Sequence, residues 1–374
     1  MAQAQQTGSR VRQAKAVAEA LARICSDDIL ELILPRLKSH PRYLRHPVFP
    51  FIYAAVAHAA ARQLSVSLEI FKHCGKDLFA GSLAKYLDAA KSLEAKQPLW
   101  GNPNAVQVWS RTLFCRRQVA RVVKAVDSFT KLSEHKTPGP NVRIIDIGVG
   151  DGLLISRIVN RLSESHRLQH IELVLIDQTE AILDLACQNC RQHVRVPTNI
   201  SRVCGSLETL STRELGGGDG KSAWFVNVAS CLHHLQRDAK VASLKRLSSI
   251  SPSCFLTELE GNHDLPGSGA PELVWSVAQF YGALIEDLMR SEVTEEEKRV
   301  CINQFLMPEA ILILGSDYPG RGNYHTSFDD WKVITKAASC DIRRSMIGTI
   351  QPGGPRSMTA WVTPRCGCQE RSNC

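Results

Sequence analysis

Residues Asp146 to Gly152 read D-I-G-V-G-D-G, with glycines at 148, 150 and 152 between the apolar run "VRIIDI" and a helical pattern that starts near Leu153. Glycine lets a backbone turn sharply and come close to a ligand, and the amides opening the next helix face whatever sits there. The spacing is not the dinucleotide G-x-G-x-x-G, because the third glycine falls one residue early. An acidic residue, Asp146, also stands at the strand end, where it would repel a pyrophosphate and suit a cationic ligand. A second carboxylate, Asp177, ends the run "LVLID" at the offset where nucleotide-binding α/β domains hold ribose hydroxyls. A loop-facing Asp is the plain structural alternative.

Proton chemistry has its own candidates. "NVASCLHH" supplies Asn227, His233 and His234, and "ELEGNHD" supplies Glu258, Glu260, Asn262 and His263. A neutral imidazole accepts a proton near pH 7, so His233, His234 and His263 are read as candidate bases. Glu260 would bind a substrate amine or orient a histidine, unless it only caps a helix. Trp275, Phe280 and Tyr281 fall in one helical stretch and would line a substrate pocket, or simply pack as core. Arg321 and His325, in "YPGRGNYH", would meet an anionic group of the substrate.

These residues need elements to hold them. From about Ala14 to Val126 apolar residues recur three and four apart, as helices require. "SEHKTPGPN" breaks that pattern. Short apolar runs then alternate with helical segments, which predicts right-handed crossovers and a mostly parallel sheet covered on both faces. Two β-like runs, "DIRRSMIGTI" and "RSMTAWV", joined by "QPGGP", predict a closing antiparallel hairpin. The expected division is a helical N-terminal cap over 1–135, an α/β domain over 136–364 with a helical insertion at about 265–326, and a cysteine-bearing tail over 365–374.

Composition narrows the class. The net charge of +8 is uneven: residues 1–140 carry 21 Lys and Arg against 10 Asp and Glu, and the remainder 24 against 27. A basic third of this kind would draw in an anionic small molecule or an acidic carrier, or would be a solvated helical surface. Thirteen scattered cysteines do not form a secreted disulfide framework. Cys187, Cys190 and His193 fall short of a four-ligand zinc set, so no metal is expected. The start of the chain lacks an apolar signal region, and "VFPFIYAAVAHAAA" is too short to span a bilayer, so a cytoplasmic protein without a membrane partner is expected.

The D-x-G-x-G-x-G loop followed by Asp177 resembles the first motifs of class I S-adenosylmethionine-dependent methyltransferases. That resemblance implies a Rossmann-like seven-stranded sheet with an antiparallel C-terminal hairpin, and S-adenosylmethionine as cofactor. It places Asp146, Gly148, Gly150, Gly152, Asp177 and Gln178 at the cofactor. Ser206, Leu207 and Glu208 would stand near the adenine, with Asn227 after the fourth strand. "VRIID", "FVNVASCLHHL", "FLTELEGNHD" and "SMTAWV" resemble, in series, blocks of the GRAS family over roughly Val142 to Val362. Plant members of that family are mostly regulators with a degenerate loop, whereas bacterial relatives have been proposed as small-molecule methyltransferases. The loop is intact here, which implies methyl transfer to a small-molecule acceptor, an anionic secondary metabolite being one class. The alternative is an inactive GRAS-like ligand- or protein-binding regulator. The sequence "NVASCL" and the 6% aromatic content argue against a nucleic-acid substrate, and a homodimer stays open.

Overall fold

The computed structural model describes residues 103–132, 139–216, 222–261, 263–264, 324–350 and 355–365, with further positions between 280 and 313. Most of the expected N-terminal cap, the tail, Asn262, Trp275 and Arg321 lie outside the described residues. The chain divides into two compact units. One takes in Gly101–Ser110, Cys115–Glu260 and Tyr324–Cys374, and the other includes Arg111–Phe114 and Gly261–Asn323. The helical residues 103–110 and 115–130 fall in the same unit as the sheet.

The sheet has seven strands: β1 Asn141–Ile147, β2 His170–Asp177, β3 Thr198–Cys204, β4 Phe225–Ala229, β5 Cys254–Leu259, β6 Cys340–Thr349 and β7 Arg356–Pro364. Their spatial order is β3-β2-β1-β4-β5-β7-β6. The first five run parallel, and β7 enters antiparallel between β5 and β6. This is the expected seven-stranded sheet with its closing hairpin. Central strands are buried on both faces, which explains the unbroken run Val142 to Ile147 in β1. β3, at the edge, shows mixed exposure instead.

Eight helices are described: α1 Pro103–Arg111, α2 Leu113–Thr130, α3 Leu153–His166, α4 Glu180–His193, α5 Thr212–Leu215, α6 Arg237–Ile250, α7 Glu295–Cys301 and α8 Phe328–Ala337. The crossovers after β1, β2 and β4 each carry a 14-residue helix with buried apolar residues, and one core joins Ile145, Val174, Val226, Leu244, Leu256, Trp331 and Ala360. Phe129 of α2 packs on Phe255 of β5 with ring centroids 6.3 Å apart. "CQNCRQH" is helical, with Cys187 and Cys190 buried and His193 exposed. Among the described residues no helix is long and apolar enough to cross a membrane.

A buried lysine ties α6 to the segment before α8. Lys240 Nζ donates to the Tyr324 carbonyl at 2.6 Å and to Thr326 Oγ1 at 2.5 Å, and stands 5.6 Å from the Trp331 ring centroid. Lys240→Ala removes both donors and leaves a cavity, so chemical denaturation should show a loss of roughly 2–4 kcal/mol; an unchanged midpoint would contradict this role.

Candidate functional site

The strand order reverses at β1, whose sheet neighbours β2 and β4 lie on opposite sides, and open α/β sheets bind ligands beyond the strand ends at such a point. The glycine loop leaves β1 there. Gly148 has φ +67, and a Cβ on it would stand 2.6 Å from Cys231 Cβ. Gly152, with φ +75, would place a Cβ 2.8 Å from the Ala186 carbonyl as α3 begins. At Gly150 the nearest atom to such a Cβ is Val106 Cγ1 at 3.9 Å, so that side of the loop is open. The loop is therefore tight against the protein at two glycines and accessible at the middle one.

Two carboxylates flank the loop. The β1/β4 register sets Asp146 opposite Asn227, and Asn227 Nδ2 donates to Asp146 Oδ1 at 2.6 Å. Burial pushes the Asp146 carboxyl up to about 7; the Asn227 hydrogen bond opposes that shift and the nearby charge of Asp177 adds to it. Asn227 is fully buried, and its Oδ1 has no hydrogen-bond partner among the described residues. Asp177 ends β2 and is raised to about 6 by burial, against the backbone N–H groups of Thr179, Gln178 and Gly150. Gln178 and Glu208 are exposed, Ser206 bonds Thr209, and the Leu207 side chain joins the core.

Beyond β4 the chain turns through Ser230, at φ +53, into a short 3-10 segment, Leu232–His234. Gln118 of α2 bonds the Ser230 hydroxyl at 3.2 Å. Glu258 of β5 governs this turn. Its Oε1 accepts from the backbone N–H of Cys231 at 3.1 Å and Leu232 at 2.8 Å, and its Oε2 lies 2.9 Å from His233 Nδ1. A carboxylate partner assigns the proton to Nδ1, leaving the lone pair of neutral His233 on Nε2. The His325 ring stacks on His233 at 4.3 Å, and His234, half-buried, is tilted against it at 4.1 Å. His233, Glu258 and His325 together form a donor set of the kind that holds a metal ion.

Among the described residues Glu260 pairs with Arg356 of β7 rather than with a histidine; it lies just past the end of β5, where its own backbone N–H bonds the Arg356 carbonyl at 2.8 Å. The histidine partner is Glu258, two residues earlier and wholly within the sheet. His263 belongs to the other unit, where its ring meets Phe280 at 5.3 Å and Tyr281 at 6.3 Å. Tyr281 is buried there and its hydroxyl donates to Glu309 Oε2 at 3.0 Å, so its polar end is engaged within that unit. His325 joins His233, as no local sequence pattern could indicate.

No protein-family model matches the sequence, and no curated protein is similar to it in sequence. Among solved structures, SCL7 from Oryza sativa matches at 12% identity with a TM-score of 0.59, over 85% of this chain and 99% of that one. The chain shares that fold. Magnesium protoporphyrin IX methyltransferase from Synechocystis, crystallised with SAH, matches at 13% identity and a TM-score of 0.40, over 67% of this chain and 84% of that one. A SAM-dependent methyltransferase from Leishmania major has the same identity and TM-score, over 74% and 90%.

The raised carboxyl of Asp146 has a sign that can be tested. Its folded pKa, about 7, exceeds the ordinary 3.8, so the folded state holds the proton more tightly and stability falls as pH rises between those values. Each displaced unit is worth about 1.4 kcal/mol. Asp146→Asn should therefore melt increasingly above the wild type from pH 5 to pH 8; a constant gap in melting temperature would contradict the buried-charge account.

Proposed function

We propose that the chain is a class I S-adenosylmethionine-dependent methyltransferase of the GRAS-like type with a small-molecule acceptor. The observation that carries this reading is the glycine loop, closed at Gly148 and Gly152 and open at Gly150, with Asp177 beside it and an unsatisfied acceptor, Asn227 Oδ1, behind it. The residues fit the cofactor. Asp177 would accept from the ribose hydroxyls, Asn227 Oδ1 would take the donor it lacks, and Asp146 would set a negative potential suited to a cationic group. When bound, S-adenosylmethionine supplies an electrophilic methyl group.

The chain's own contribution is positioning and proton handling. Gly150 lets the backbone approach closely, and α1 and α2, which bring Val106 to Gly150 and Gln118 to Ser230, help to exclude water. With His233 held by Glu258, the half-buried His234 beside it is the imidazole that takes a proton from the acceptor. The basic first third of the chain favours an anionic acceptor, and on this reading the enzyme works in the cytoplasm without nucleic acid or membrane.

Calorimetric titration with S-adenosylmethionine and S-adenosylhomocysteine tests the reading. Binding should weaken by roughly 1–3 kcal/mol in Asp177→Ala, whereas His234→Ala should keep cofactor affinity and lose turnover. No binding by the intact protein would sink the enzyme and favour a regulator on the same fold.

A further inference from the structure

Glu258 is 1% exposed, and a carboxylate removed from water needs a compensating positive charge. Among the described residues no Lys or Arg side chain supplies it, since its partners are two backbone N–H groups and the His233 imidazole. The ammonium group of Lys240 bonds instead to the residues on either side of His325, Tyr324 and Thr326.

Two imidazoles face this single carboxylate. One donor atom from each of His233, Glu258 and His325 lies within 4.8 Å of the others, and all three residues are buried. A metal ion bound between them would take one donor from each ring and one from the carboxylate. Two neutral imidazoles with one carboxylate are nitrogen and oxygen donors of the kind that zinc and its neighbours take.

We propose that His233, Glu258 and His325 bind one divalent transition-metal ion of the zinc class. The ion takes the place of the proton between His233 Nδ1 and Glu258 Oε2, and the ring stays neutral by carrying its proton on Nε2 instead. The two rings, 11° from parallel in their stack, turn so that each directs a lone pair at the ion. Glu258 Oε1 keeps its backbone donors, which fix the carboxylate from behind.

Chain position gives the ion its role. Glu258 lies in β5, just before the chain leaves the sheet unit after Glu260, and His325 follows directly on its return at Tyr324. An ion held by both closes the excursion at its base, where a cross-link removes loop-closure entropy. This role does not depend on methyl transfer.

The test is cobalt(II) loading of the full chain after stripping with chelator. Visible ligand-field bands report nitrogen and oxygen donors, while a sulfur-to-cobalt charge-transfer band would report the cysteines. The expected result is one cobalt per chain without the sulfur band, bound roughly 100-fold more weakly in His325→Ala. X-ray absorption at the zinc edge of the wild type should show two imidazoles and no sulfur, and it requires no variant. Absence of bound metal, coordination through sulfur, or unchanged affinity in a folded His325→Ala protein would overturn the proposal.

Discussion

Charge taken into the middle of a sheet must be answered by its neighbours, and this requirement organises the protein at two places. At the first, the register of β1 against β4 brings Asn227 to Asp146, and a single amide hydrogen bond offsets part of the cost of burial. Slipping β4 by one residue would turn Asn227 to the face opposite Asp146. The glycine loop depends on the same register, because Cys231, which blocks any Cβ at Gly148, is carried by the turn after β4.

The second place is Glu258. Its carboxylate bonds two successive backbone amides and one imidazole, and so defines a turn that contains a left-handed serine. By contrast, Glu260 and Arg356 form an ion pair at the surface, where such contacts contribute little. Two glutamates separated by one residue thus do different work, because the sheet ends between them.

Much of this was legible in the sequence for physical reasons. Runs such as "VRIIDI" and "LVLID" are apolar without alternation because both faces of a central parallel strand are covered. Glycines at alternate positions after such a run mark a backbone that must turn sharply or let a ligand come close. Asp146, Asp177 and Asn227 stand out in the sequence because they lie at fixed offsets from strand ends. Glu258 was not singled out over Glu260, since alternation puts both on one face and only the pairing of β5 with β7 shows where the strand stops. The meeting of His233 with His325, and the grouping of α1 and α2 with the sheet, are non-local. Amphipathic spacing reveals that a helix has a buried face but not what covers it.

The strand order also bears on synthesis at the ribosome. β1 to β5 emerge in sequence, but the neighbour that completes β5 is β7, which follows the whole excursion through Gly261–Asn323 and then β6. During that interval the nascent sheet carries a fully buried-type strand with an unpaired edge, the state most open to wrong pairing with another chain. Topology therefore leaves the β5 edge as the last gap in the sheet to be closed, and only β7 can close it.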